Sequence, residues 1–367
     1  MESCNINNTF EWSYEEALYN SHHKWLQLGV LPLLMIVGVV GNLGFLFVLF
    51  KLQQMRSITN FYLGNLAVAD LSFITLMAIH YIWSYVYSDL KFDVPYKSSL
   101  GCVIFTLFTY ISVFSSFALI TLVIVERYFA TCKPLYHRIV SGRSRSIKLV
   151  IATWFTSIVF AAIYTPSQSS LKFLCIKWPE SELFVSLPTK VNICSSIAYR
   201  WIPPLSLYIQ AIPFWSALLV NVILSINIIM TLHRREPLTE IGNQKSTKLK
   251  TDTTRNQVAK MLIVNNATFF LFAGPFQVMN LIQIIEHHYG SYLIGDFAHT
   301  ILLWVGRVAA IANSAVNPII YNVTNSRYRA AFAKCFSCTN VEGGSGNNGG
   351  TQTLQISLIP ANHKQKN

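Results

Sequence analysis

Long apolar runs separated by short polar stretches dominate the chain. Seven of them reach membrane length, at about 26–50, 60–87, 99–132, 147–166, 203–233, 255–286 and 292–321. Hydrocarbon offers no partner to a backbone N–H or C=O, so each run is read as a helix that satisfies its own. The pattern predicts an all-α membrane protein, a seven-transmembrane helix bundle over residues 26–321. Residues 1–25 read as a polar, acidic and aromatic tail. The loop 167–202 carries two strand-like stretches, Leu171–Trp178 and Lys190–Ser196, set to pair as a hairpin across Pro179–Pro188. Residues 322–338 follow the last span. There Ser326–Phe336 puts Tyr328, Phe332 and Phe336 on one side and Arg327, Arg329 and Lys334 elsewhere, the pattern of an amphipathic helix lying on a membrane. Residues 339–367, with a Gly-Gly-Ser-Gly-Asn-Asn-Gly-Gly run, read as a disordered tail.

Composition agrees: 52% hydrophobic and 12% charged is too apolar for a soluble domain of this size. The net charge of +12 raises nucleic acid as a partner, and its distribution argues against one. With the N-terminus outside, 20 of the 28 lysines and arginines fall on the inner side and most acids on the outer. That bias orients the bundle with the C-terminus in the cytosol, its basic face toward anionic lipid or an acidic protein. No basic segment precedes a short apolar one at the start, so no cleavable signal peptide is expected and the first span serves as anchor. Cys4, Cys102, Cys175 and Cys194 fall on the oxidising side, and Cys132, Cys335 and Cys338 on the reducing side. Asn7-Asn8-Thr9 is a glycosylation sequon in the outer tail, and Cys335 and Cys338 are candidate palmitoylation sites. Asn266-Ala267-Thr268 lies inside a span and should be silent.

Each span carries an unusual polar or punctuating residue. The third run ends on Glu126-Arg127-Tyr128, where a guanidinium is costly without a partner. The others hold Gly41-Asn42, Asn65 with Asp70, Trp154, Pro213, Phe272-Ala273-Gly274-Pro275, and Asn313-Ser314 with Asn317-Pro318-Ile319-Ile320-Tyr321. In this order on seven spans, these residues resemble the rhodopsin-like (class A) G-protein-coupled receptors over about residues 26–336. The resemblance implies a receptor without an active site of its own, catalysing nucleotide exchange on a heterotrimeric G protein, with arrestin as a further partner. It makes Glu126, Arg127, Tyr128, Asn317, Pro318 and Tyr321 the coupling switch. Arg127 would leave Glu126, and Tyr321 would turn inward, as the sixth helix swings out; Pro275 and Pro318 supply the kinks for such motion. Read without the resemblance, Arg127 is a snorkelling interface anchor.

The same resemblance implies a sodium pocket of Asp70, Ser116, Asn313 and Asn317, the sole cofactor expected; the alternative is a hydrogen-bonded polar core without an ion. It also implies a Cys102–Cys194 disulfide, with Cys175 as competitor for Cys102, and Cys4 and Cys175 left to pair with each other. Three places depart from the family pattern. Ala273 stands where a tryptophan is usual, Asn221 where the fifth helix often has a tyrosine, and Arg255 where an acid often holds Arg127. With a like charge at that place, Glu126 alone is expected to hold Arg127, which predicts raised basal activity or an atypical trigger.

Ile311 excludes a retinal Schiff base and Thr109 leaves no fixed anion for an amine. By family position the ligand pocket is His80, Tyr81, Thr109, Tyr110, Gln277, Asn280, Gln283 and Arg307. Arg307 can grip a carboxylate or carbonyl in bidentate fashion, or pair with Glu286 or Asp296. The long hairpin loop, acidic tail and missing amine site look like neuropeptide receptors of the plasma membrane. The alternatives are a receptor for a lipid or small carboxylate, and a constitutively active or non-coupling scaffold. Zinc between His22-His23 and His287-His288 is weighed against plain polar loops. A channel would need several charges facing one pore, and an intramembrane enzyme paired acids or a serine–histidine pair at one depth; neither is evident.

Overall fold

The computed structural model describes residues 9–10, 18–19, 21–91, 93–178, 185, 187–197, 199–234 and 245–336. The chain divides into two compact units, Met1–Cys335 and Phe336–Asn367, and beyond Phe336 the second lies outside the described residues. Among its described residues the first unit holds seven helices long and apolar enough to cross a membrane: His23–Lys51, Ile58–Tyr87, Ser99–Cys132, Arg143–Gln168, Ile202–His233, Asn256–Tyr289 and Phe297–Thr324. They are named first to seventh span below. The sixth continues a helix that begins at Lys245. The third span has the bounds of its apolar run, whereas the seventh begins later than its run, its helix starting at Asp296, and ends later, at Thr324. At the second span Ser57 caps the start, its hydroxyl accepting from the Asn60 N–H.

The core is aromatic and aliphatic, running through Phe45, Leu66, Phe117, Leu119, Phe214, Phe269 and Tyr321. Outward faces stay apolar, with Phe50, Ile151, Phe155 and Leu271 exposed. In water such surface would be a liability; on a spanning helix it is the face for lipid. Polar bonds stitch the spans together. Trp154 Nε1 donates to Asn65 Oδ1 at 3.2 Å, and Asn42 Nδ2 to the Ser314 carbonyl at 2.9 Å. Proline interrupts the fifth, sixth and seventh spans at Pro213, Pro275 and Pro318. Beside one of these breaks, Gly306 of the seventh span meets the sixth: a Cβ there would lie 2.8 Å from the Phe276 backbone. Only glycine permits that approach.

On the outer side the hairpin forms from Ser170–Ile176 (β2) and Lys190–Ser195 (β3), antiparallel, with Leu171 opposite Cys194 and Cys175 opposite Lys190. A third strand joins it: Thr9–Phe10 (β1) runs parallel to β2, opposite Cys175 and Ile176. Leu18 bridges Leu90, and Tyr19 is buried against Tyr85. Parts of the tail are therefore pinned to the outer loops. Asp93 fixes the neighbouring loop to β3 by accepting from the Asn192 N–H at 2.9 Å.

After the seventh span a helix runs from Ser326 to Phe336. Tyr328 and Ala331 are buried, Phe332 packs on the core and Phe336 is exposed. Arg327 donates to the Gln54 carbonyl, and Arg329 to the Asn322 carbonyl at 3.1 Å. These cations hold the helix to the first inner loop and to the end of the seventh span.

Candidate functional site

The chemistry concentrates at three depths. At the inner end, Glu126 is buried and Arg127 follows it on the third span. The expected hold of Glu126 on Arg127 is corrected by the geometry. The carboxylate is taken by His137, whose Nε2 donates to Glu126 Oε1 at 2.7 Å. His137 stands on a short helix, Pro134–Val140, started by a proline just past the end of the third span. Arg127 makes no ion pair among the described residues, and its buried Nε has no hydrogen-bond partner. It lines a cavity of about 150 Å³ with Ser57, Thr59, Asn60, Val258, Arg327 and Tyr328. Burial pushes the Tyr328 phenol up to about 12, against the lowering effect of Arg127 and Arg327, so it stays a neutral donor. It donates to Asn60 Oδ1.

Tyr321 does not face Arg127. It is buried between Phe45 and Tyr328, with ring centroids 5.1 and 5.9 Å away. Tyr128 lies against Phe129. The Arg255 side chain and the Cys338 site lie outside the described residues. Cys335 is a free, half-buried thiol packed on the core.

Midway through the bundle Asp70 is 0% exposed. Asn317 Nδ2 donates to Asp70 Oδ2 at 2.6 Å. The carboxylate's other oxygen has no partner, nor have Oδ1 of Asn313 and Oδ1 of Asn317. Such buried acceptors suit a small hard cation, so these residues fit the sodium expectation. On the third span Ser115 and Ser116 are both buried, and Oγ of Ser115 has no partner.

The outer end brings four of the expected pocket residues together. His80 shares a 2.9 Å hydrogen bond with Tyr96, stacks on Phe105 at 4.2 Å and meets the tilted Tyr81 ring at 5.3 Å. The Arg307 guanidinium lies 5.9 Å from the Tyr81 ring centre and 5.5 Å from that of Trp304. It also acts electrostatically on Tyr110 and Tyr164, whose rings pack at 3.7 Å. Arg307 makes no ion pair with a described residue; Glu286 instead accepts from the Leu293 N–H at 3.0 Å. The Asp296 side chain lies outside the described residues.

Thr109 Oγ1, Gln277 Oε1 and Asn280 Oδ1 are buried without partners, while Asn280 Nδ2 donates to the Leu207 carbonyl at 3.0 Å. Gln283 is half-buried. Gln210 was missed: its Oε1 is a further buried acceptor without a partner, and an amide three residues before Pro213 in an apolar span was the signal. A disulfide joins Cys102 to Cys194, tying β3 to the third span. Cys175 is also disulfide-bonded. Cys4 and the Asn7 sequon lie outside the described residues. His23 packs on Trp304 and His288 bonds Tyr208 at 3.2 Å. Among the described residues no group of three His, Cys, Asp or Glu side chains is placed to hold a metal.

The family described as 7 transmembrane receptor (rhodopsin family) matches residues 41–321. The chain belongs to that family. A thyrotropin-releasing hormone receptor of Mus musculus is 28% identical over 338 residues, covering 85% of this chain and 80% of the relative. Neuromedin-U receptor 2 of Rattus norvegicus is 30% identical over 312 residues, covering 84% and 74%. The human thyrotropin-releasing hormone receptor is 27% identical, covering 82% and 75%. The family is one of receptors, not of enzymes.

Within the rhodopsin family two of the three departures, Ala273 and Asn221, have structural answers. One turn below Ala273, Phe269 packs edge to face on Phe117 at 5.8 Å and Phe270 at 5.3 Å. Phe214 closes the group, 5.5 Å from both Phe117 and Phe270. Four phenylalanines from three spans fill space beside the small residue. Asn221, in the tyrosine's place, is buried and donates to Thr121 Oγ1 and the Ala217 carbonyl, each at 2.7 Å, tying the fifth span to the third.

Proposed function

We propose that this rhodopsin-family chain is a plasma-membrane receptor, N-terminus outside and C-terminus in the cytosol. An extracellular peptide activates it to promote nucleotide exchange on a heterotrimeric G protein. The observation that carries the peptide reading is Arg307, a half-buried cation held between Tyr81 and Trp304 without an ion pair among the described residues. A guanidinium so placed is ready for a carbonyl or carboxylate of a ligand entering from outside. Unpaired acceptors on Gln210, Gln277 and Asn280 would take N–H donors, which a peptide backbone supplies. The relatives are named as receptors for thyrotropin-releasing hormone and neuromedin U, in keeping with this ligand class. Orientation rests on the excess of basic residues on the inner side.

Sodium bound by Asp70, Asn313, Asn317 and a third-span serine belongs to the same reading; it would neutralise a buried carboxylate. Arrestin and anionic lipid are proposed cytosolic-side partners, with glycosylation at Asn7 and palmitoylation at Cys335 and Cys338. The test is a neuropeptide library applied to cells expressing the receptor with a promiscuous G protein. One or more peptides should evoke a second-messenger signal that Arg127→Ala abolishes. Activation by a lipid or small carboxylate, with every peptide silent, would overturn the peptide assignment.

A further inference from the structure

We propose that Asn265 is a positioning residue of the coupling switch: its buried amide biases the sixth span toward swinging away from the third and seventh. The inference rests on the reading of the inner end as a G-protein coupling switch. It starts from one side chain. Asn265 is 0% exposed, and neither its Oδ1 nor its Nδ2 has a hydrogen-bond partner among the described residues. Turning the amide over exchanges the two atoms and pairs neither. Buried amides are ordinarily bonded, because taking one out of water without new bonds is costly.

Other buried asparagines of the spans differ. Asn266 donates to Ser225 Oγ at 3.3 Å and Asn221 to Thr121 Oγ1 at 2.7 Å, so each ties two spans together. Asn42 donates to the Ser314 carbonyl and Asn317 to Asp70. Where any of these four lacks a partner, it is at its oxygen alone. Asn265 makes no bond from span to span in this conformation. Its polarity only costs here, so a conformation that gives it a partner gains on this one.

The place of Asn265 decides which conformation that is. Met261 and Phe269 lie one turn to either side on the same helix face, and both are buried. Met261 Sδ accepts from Nδ2 of Asn325, just past the seventh span, at 3.7 Å. Phe269 packs on Phe117 of the third span at 5.8 Å. The amide thus sits between a thioether and a phenyl ring, on the face turned to the third and seventh spans. Two turns further down that face, about 10 Å away, Val258 lines the inner cavity with Arg127. The sixth span is weakened at Pro275, where a backbone bond is missing. A swing outward at that point draws the face off the third span and opens it to the cavity, from which water reaches both atoms of the amide. The closed bundle bears the cost of the unpaired amide and the open one does not. A ligand at the outer end then has less work to do.

The test uses the full-length receptor in membranes, each variant normalised to receptor number through an epitope tag. Asn265→Val removes the amide without enlarging the side chain, and Asn265→Asp keeps its shape and polarity. Three quantities are read. The first is basal GTP-analogue exchange on purified heterotrimeric G protein. The second is thermal unfolding of the purified receptor. The third is the rate at which a membrane-impermeant thiol reagent labels Val258→Cys from the cytosolic face, followed by peptide mass spectrometry. Asn265→Val should raise the unfolding temperature by a few degrees, since an apolar side chain relieves a buried polar group. It should also lower basal exchange and labelling about three- to tenfold. Asn265→Asp should unfold earlier, with both rates at least those of the unaltered receptor. An amide that merely holds the fold predicts a less stable receptor in both variants. Failure of Asn265→Val to fold, a lower unfolding temperature in it, or an unchanged labelling rate therefore overturns the proposal. If labelling and unfolding shift as expected while exchange in every variant equals that of receptor-free membranes, the coupling reading falls and the bias set by Asn265 stands. If exchange is above background and lost in Arg127→Ala, while Asn265→Val moves neither labelling nor exchange, the proposal falls and the coupling reading stands.

Discussion

Among the arginines of the bundle that no described acid pairs, Arg307 and Arg127 lie at opposite ends and are held differently. Arg307, at the outer end, lies between the faces of Tyr81 and Trp304. Arg127, at the inner end, stands beside an acid that another side chain has taken. Aromatic faces steady a cation without neutralising it, so Arg307 keeps its full attraction for an incoming anion or carbonyl. A carboxylate would quench Arg127 if it swung back, so the inner cation is conditional where the outer one is permanent. The outer end is built to wait for a ligand and the inner end to be switched.

Substitution can break that comparison, starting with the largest expected effect. Arg127→Ala should reduce agonist-evoked exchange to background while ligand affinity stays within about twofold, measured by radioligand binding and GTP-analogue uptake. Arg307→Ala should do the reverse, lowering peptide potency about 10- to 100-fold with the maximal response retained, in line with loss of charge-assisted bonds of ~1.5–3 kcal/mol. Arg307→Lys should recover little of it, since a lysine has no planar fork. If Arg307→Ala instead lowers the maximum at unchanged potency, the division between the two ends is wrong. Gly306→Ala should lower thermal stability by roughly 1–3 kcal/mol, because the new methyl group meets the Phe276 backbone; it should also weaken binding by moving Arg307. Tyr328→Phe should cost about 1 kcal/mol through the lost bond to Asn60, with basal exchange changed and ligand affinity untouched.

The seven spans were legible because bilayer thickness and backbone pairing leave a chain few choices. The hairpin was legible too, since β-branched and apolar residues flank a turn-rich segment. The strand Thr9–Phe10 was not: two residues carry no periodic signal, and their partner lies far along the chain. At the sites, polar residues at compatible depths pointed to Asp70 with Asn317, and family position pointed to Arg307 and Tyr81; Asn317 bonds Asp70, and Tyr81 lies beside Arg307. The partner of Glu126 escaped because adjacency in sequence is not adjacency of side chains on a helix. Residue 127 points away from residue 126, while a short helix after Lys133 folds His137 back beneath it. The resting packing of Tyr321 was not legible either. Its position on the seventh span was known, but its rotamer depends on Phe45 and Tyr328, which only packing brings near.

The contact between Gly306 and Phe276 has a mechanical consequence. It sets a fulcrum one residue past Pro275, where the sixth span has already lost a backbone bond. Below it the helix is a rigid lever. At 1.5 Å per residue Val258 lies about 25 Å down that arm, so a rotation of about 10° at the fulcrum carries it about 4 Å sideways. Val258 is part of the wall of the cavity beside Arg127. A ligand displacement too small to notice at the outer end would thus be geared up into a doorway at the inner one.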